Sequence, residues 1–271
     1  YSGAVYPADS TALWNPALDI TLILGSGAGG AMAGTDAIVV RHVNSAPVAL
    51  VAPYNDPTQV FLSPGGSNSF TVGQTALISN CEKASLFKNT DKTGDILAHD
   101  GTENFCSTWT AGAANCPTDE QQYGPDSEVA QAQTYAFYIA NGTNNVPSLW
   151  QATLTGPPAE LVEGVENMQI MYGVDSATAV GTNSSGQPNQ YLTASAVTTG
   201  GLWGRVISVR ISLLLSTVNT TGQAGGPTLD ANATYLLAGS DAANGVTINP
   251  PDDRRRRRVF ETTILLRNRG V

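Results

Sequence analysis

Two stretches of this chain alternate apolar and polar residues with a period of two, and this limits its fold more than any other feature. In "VENMQIMYGVD" (165–175), Met168, Ile170, Tyr172 and Val174 share one face, while Asn167, Gln169 and Gly173 share the other. In "RVISVRISLLLST" (205–217), Ile207, Val209, Ile211, Leu213 and Leu215 stand opposite Ser208, Arg210 and Ser212. Successive side chains of a strand point to opposite faces, so this spacing predicts half-buried strands. "TYAFYIA" (134–140), "LWQATLT" (149–155) and "VFETTILLRN" (259–268) follow the same rule. Alternation of this kind belongs to antiparallel sheets with one packed face. Helix signals are sparse: Ser127–Gln133 after "PDSE", and Cys81–Phe87. The expectation is a mainly β (α+β) chain with few short helices and long loops at 176–201 and 217–257.

Another stretch tempts a different reading. Gly25, Gly27 and Gly30 match a G-x-G-x-x-G dinucleotide fingerprint after the apolar "LDITLIL". That motif works as strand, tight turn and helix, with an acidic residue about 20 positions on. Here Gly34, Thr35 and Asp36 break any helix within two turns, and the downstream "SAPVALVAP" holds no carboxylate. With 28 glycines in the chain, chance matches are expected, and a loop leading to a strand at Ala37–Val43 fits better.

Only 13% of the residues are charged while 41% are hydrophobic, which describes a folded chain with a surface of uncharged polar residues. A net charge of -9 repels nucleic acid and anionic membranes. Arg254, Arg255, Arg256, Arg257 and Arg258 form one basic run. It sits beside "PPDD" and lacks the interleaved aromatics that stack bases, so we read it as a solvated or inter-subunit electrostatic contact and expect no nucleic acid partner. No apolar run of about 20 residues spans a membrane.

The cysteines are Cys81, Cys106 and Cys116. Cys106 and Cys116 bracket a short loop that a disulfide could close, with Cys81 free or competing, and such bonds persist mainly outside the cytosol. No C-x-x-C pair accompanies His42 or His99, so no metal site is expected. "DKTGD" (91–95) resembles a cation loop only as any Asp/Gly-rich turn does. His99 and Asp100, adjacent in a strand, point apart, and no G-x-S-x-G elbow occurs, so we assign no catalytic residues and no cofactor.

The block "LVEGVENMQIMYGVD" (161–175), followed by "YLTA", "WGRVISVRISLLLST" and "RRRRVFETTILLRNRG", resembles the C-terminal half of the PilW family of type IV pilus minor pilins. "YSGA" at the start, "GTDAIVVRH" and "ISNCEKASLFKNT" resemble earlier parts of the same family. The motif residues are Glu163, Gly164, Val165, Met168, Tyr172, Gly173, Arg205, Val209, Arg210, Arg267 and Asn268. Residues 217–257 read as an insertion. The acidic loop that relatives often carry after the "YGVD" strand is missing, since no carboxylate lies between Asp175 and Asp230, which argues against calcium there.

The resemblance implies one pilin-like domain over 1–271, with N-terminal strands and cysteine loops in 1–132 and the C-terminal sheet in 133–271. It implies that the family's long first helix, which anchors in the inner membrane and packs in the filament core, precedes this chain. A sheet made to lie on that helix should expose an apolar face without it. It further implies a non-enzymatic subunit of the minor-pilin complex that primes pilus assembly and sits at the filament tip. Partners would be other minor pilins, the major pilin and a tip adhesin, and the setting the periplasmic side of the inner membrane and the extracellular pilus. A J-type pseudopilin of a type II secretion system shares this architecture. A secreted carbohydrate-binding β-domain is the alternative of another class, but Trp14, Trp109, Trp150 and Trp203 are scattered rather than arrayed in a row. Around "VEGVEN", Glu160, Glu163 and Glu166 offer a contact that registers one pilin against the next or a pairing with Arg205 or Arg210, and for Glu160 and Glu163 a solvated strand edge is the favoured reading.

Overall fold

The structure, a computed structural model, describes residues 30–54, 56–80, 82, 84–100, 104, 123–153, 156–175, 186–218, 233–239 and 245–266. They fall into two compact units: Val40–Thr134, and the described parts of 1–39 with 135–271. The expected strands are there, and the fold is mainly β.

In chain order the strands begin with β1 (Ile38–Val43), β2 (Val48–Ala49), β3 (Gln59–Phe61), β4 (Thr75–Ser79), β5 (Ala84–Lys88), β6 (Asp91–Thr93), β7 (Ile96–Ala98) and β8 (Glu128–Asn141). Within Val40–Thr134, β4 lies between β5 and the first residues of β8, antiparallel to both. A second small sheet runs β3–β7–β6. Phe70, Ile78, Phe87, Leu97, Tyr123 and Val129 form the core of this unit.

Both helices expected here are strands. The segment 127–133 enters β8, because "EVAQAQ" finds β4 as a ladder partner and buries Val129 and Ala130. The "PDSE" cap pattern is spent on a turn, where Ser127 N–H donates to Gly124 O. Within 81–87, β5 folds back on β4 as a hairpin, and Asn80 Oδ1 accepts from the Glu82 amide in an Asx turn. Cross-strand packing outweighs a weak local helix preference.

The other unit continues with β9 (Pro147–Thr153), β10 (Ala159–Glu163), β11 (Val165–Val174), β12 (Gln190–Leu192), a short helix α1 (Ala194–Thr199), β13 (Val206–Ser216), β14 (Tyr235–Leu237), β15 (Val246–Ile248) and β16 (Arg257–Leu265). The later residues of β8 pair with β9, and β9 with β10. A second sheet has the order β12–β11–β13–β16, and β14 and β15 form a hairpin. Thr193 caps α1, accepting from the Ala196 amide, and buried Ala194 and Val197 join the cluster of Ile139, Val165, Met168, Ile170, Val174 and Val206.

Gly164 alone separates β10 from β11, and with them the two sheets. Its N–H donates to Pro147 O at 2.9 Å on the β9 side, and its carbonyl accepts from Ser216 N–H at 2.7 Å on the β13 side. It sits at φ +84°, and a Cβ would lie 2.6 Å from Ser216 O. Only glycine makes this corner without strain.

The half-buried expectation for β11 fails in one respect: its polar face is buried too. Asn167 and Gln169 both donate to Gly34 O, at 3.3 and 2.8 Å, and Gln169 also donates to Asn167 Oδ1. Buried amides are tolerable when bonded in this way. On β13, Ser208, Ser212 and Leu214 are fully buried, whereas Ile211, Leu213 and Leu215 are only partly so. The segment of Leu237 and Ala238 accounts for the reversal, since Ala238 N–H donates to Ser212 Oγ at 3.0 Å.

Candidate functional site

The "VEGVEN" block is built around a bulge. Val165 pairs with Leu215 and Asn167 with Leu214, so Glu166 is the extra residue in β11. A bulge re-aims its side chain, and Glu166 reaches Arg257 at the start of β16 rather than Arg205 or Arg210. Arg257 Nε donates to Glu166 Oε2 at 2.6 Å and Nη2 to Oε1 at 3.0 Å, and the other side of the guanidinium holds Asp253 at 2.9 and 2.8 Å. The Arg257 side chain is 2% exposed. Burial opposes its charge, but the bonds from Asp253 and Glu166 outweigh burial and raise its pKa above the ordinary arginine value. The bond from Arg257 in turn holds Asp253 below the usual carboxylate range. The basic run is therefore not uniform: Arg257 is turned inward, Arg256 and Arg258 are exposed, and Arg254 and Arg255 are half-buried. The Arg258 guanidinium stands over the Phe260 ring at 5.7 Å.

Glu160 and Glu163 brace the β8–β9 turn. Glu160 accepts from Ser148 Oγ at 2.7 Å and from Thr143 N and Oγ1 at 3.2 Å, and these bonds, Ser148 first, lower its pKa. Glu163 accepts from Asn144 Nδ2 at 2.8 Å.

Gly173 lies between Tyr191 on β12 and Ser208 on β13. A Cβ there would collide with Ser208 Oγ and approach Pro188 and the Tyr191 ring to 2.9 and 3.0 Å. The missing side chain lets the Tyr191 ring cross the sheet to lie 3.6 Å from the Arg210 guanidinium. Arg210 Nε is 3.6 Å from Glu261 Oε1, and Glu261 Oε2 accepts from Ser212 Oγ at 2.6 Å. Among the remaining motif residues, Val165, Met168, Tyr172 and Val209 pack in the core, with Trp203 edge-on to Tyr172 at 4.9 Å. The Arg205 carbonyl accepts from the Asp175 amide at 3.1 Å. Arg267, Asn268, Cys81, Cys106, Cys116, Trp14 and Trp109 lie outside the described residues.

One residue entered the sequence reading only as a helix breaker and as part of "GTDAIVVRH". Asp36, 5% exposed, lies along the edge of β11: its N–H donates to Met168 O at 2.8 Å and its Oδ2 accepts from Ile170 N–H at 2.7 Å. The carboxylate thus stands in for a strand carbonyl. Burial pushes its pKa up to about 6 against the pull of the Ile170 bond.

His99 is buried and edge-on to Phe87 at 5.7 Å, with its pKa pushed down to about 4 by burial, while Asp100 Oδ1 accepts from Thr90 Oγ1. In "DKTGD", Asp95 accepts from the Gly65 and Ser67 amides, and Lys92 donates to Ser67 O and Phe70 O. No group of three metal-ligating side chains occurs among the described residues. Trp150 packs against the alanine cluster with Tyr138, and Trp203 donates to Thr198 Oγ1 at 3.1 Å, so neither belongs to an open aromatic platform.

The sheet's open flank is apolar. Across β13–β16, Leu213 stands beside Phe260 and Val209 beside Ile264. Ile211, Leu213 and Leu215 are partly covered, whereas Phe260 is 54% and Ile264 50% exposed. The face that is core under β11 thus runs out into solvent at β16.

Residues 136–268, holding the bulge, the Gly164 corner, Gly173 and the Arg257 clamp, match the family model described as Type IV Pilus-assembly protein W. Residues 136–268 are a PilW region. The match starts inside β8 and takes in β9 to β16, so the PilW portion is the two-sheet unit with its open apolar flank. No curated protein and no solved structure matches the chain. That region ties the chain to type IV pilus assembly. No helix among its described residues is long and apolar enough to cross a membrane.

Proposed function

We propose that this chain is the globular part of a minor pilin, one pilin-like domain over 1–271, that joins other minor pilins in the complex that primes a type IV pilus and sits at its tip. The observation that carries this reading is the apolar flank of β13 and β16 in a PilW sheet: Ile211, Leu213, Leu215, Phe260 and Ile264 form a surface suited to an apolar helix of the filament. Docking is the mechanism. The helix covers this flank and supplies anchorage in the inner membrane, while loops and strand edges meet the neighbouring pilins and an adhesin. The family match supports a place in the pilus system rather than in type II secretion.

Deletion of the gene is expected to abolish surface piliation and leave protein secretion intact, and complementation with Phe260→Asp/Ile264→Asp is expected to fail although the protein accumulates. Normal piliation in the deletion strain, or lost secretion with normal pili, would overturn the proposal.

A further inference from the structure

The strand β16 ends its sheet, and among the described residues no strand lies along its outer edge. Natural sheets blunt such edges with proline, bulges or outward charges. β16 has none of these over Val259–Leu265. It contains no proline, its pairing with β13 runs without a register shift, and its one charge, Glu261, is turned back to Ser212 and Arg210. Leu265 is 68% exposed, beyond the exposed Phe260 and Ile264. Among the described residues this edge is unpaired, its one carboxylate is matched by Arg210, and it is apolar at both ends.

The sequence of the edge is chemically palindromic about Thr262. Reading outward from it, Glu261 mirrors Thr263, Phe260 mirrors Ile264, and Val259 mirrors Leu265. We infer that the outer edge of β16 pairs antiparallel with β16 of a second copy of this chain, about a two-fold axis at Thr262. On one face Phe260 then opposes Ile264 of the second copy, Thr262 opposes its own mate, and Ile264 opposes Phe260. On the other, Val259 opposes Leu265 and Glu261 opposes Thr263. Aromatic–β-branched and Thr–Thr pairs are among the favourable cross-strand contacts, and a closed two-fold is the commonest symmetry of self-association.

Charge selects both the partner and the register. A neutral edge fits a neutral strand, which a second copy supplies. Centring the axis on Glu261 would set two carboxylates against each other and place Phe260 against Thr262. With the axis at Thr262, the Arg258 backbone positions lie about 27 Å apart along the strands and the Phe260 rings under their guanidinium groups about 14 Å apart, at roughly 3.4 Å per residue, beyond the screening length of about 8 Å. Two four-stranded sheets become one continuous sheet, and the apolar flanks merge. Nothing in this pairing depends on a place in a pilus.

Sedimentation velocity of the 271-residue chain over a rising concentration series is expected to shift from monomer to dimer and to stop there. Ile264→Lys puts a charge against Phe260 of the second copy and is expected to weaken association at least tenfold, while its urea unfolding matches wild type because position 264 is half exposed. Thr262→Cys supplies a register test, since directly opposed strand residues lie about 4.5–5.5 Å apart, within disulfide reach. Mild oxidation is expected to give a reducible dimer whose peptide map joins position 262 to position 262. A chain that stays monomeric throughout, a dimer indifferent to Ile264→Lys, or a Thr262→Cys dimer joined only through the other cysteines would overturn the inference.

Discussion

Asp36 lends its carboxylate to the Ile170 amide while almost out of water, and its folded pKa of about 6 exceeds the ordinary 3.8. The folded chain therefore holds this proton more tightly than the unfolded one. The stabilisation is full below about pH 4 and is lost as pH rises through about 6, amounting to on the order of 3 kcal/mol for a shift of this size. Asp36→Asn keeps an acceptor for Ile170 and removes the charge. Urea midpoints across pH should coincide below pH 4 and favour the variant above pH 7. Carboxylates held low, such as Asp253, push the other way in both proteins and cancel in the difference. The Arg257 clamp behaves oppositely. Arg257→Ala leaves Glu166 and Asp253 facing each other without their cation, and should cost about 3 kcal/mol in chemical denaturation. Glu166→Gln/Arg257→Met should recover a large part of that loss, because a buried pair is worth far less as a pair than one orphaned member costs.

Strand by strand, the chain is most sensitive where its two sheets meet. Gly164→Ala would force a left-handed residue and drive a methyl toward Ser216 O, so a loss of about 3 kcal/mol is expected in urea unfolding. Amide exchange should quicken at Ser216 and Gly164 before it does elsewhere in β13. The elements themselves were legible wherever period two ran for several residues: β11, β13, β16 and the later part of β8 were all foreseen, because alternation reports a buried face whatever covers it. The segments 81–87 and 127–133 were misread because a local helix signal does not report the ladder partner that decides: β4 takes both, as the other arm of a hairpin for β5 and from far off in sequence for β8. Among the site residues, Gly164 and Gly173 stood out as motif positions, but their reasons, a corner and a ring crossing, are tertiary. The Glu166–Arg257 clamp was hidden by the bulge, which moves one side chain across a strand without leaving a mark on composition. Asp36 was legible only as a helix breaker, since its strand-like role exists only beside β11.

For the molecule as a whole, the open flank of β13 and β16 should register as dye-binding apolar surface. Wild type should enhance anilinonaphthalene sulfonate fluorescence while fully folded, and Phe260→Ser/Ile264→Ser should remove about half of that signal with little change in unfolding midpoint. An unchanged signal would locate the apolar surface elsewhere. The unit that carries the PilW match is discontinuous in the chain, for Asp36 and Ile170 are 134 residues apart. A ribosome exposes the Gly34–Asp36 loop long before it makes the strand that loop must bond. All of Val40–Thr134 emerges in between and has time to fold first. The newborn chain thus carries an unfinished seam until β11 arrives, and variants in that loop should lower the yield from synthesis more than they lower the stability of the finished protein.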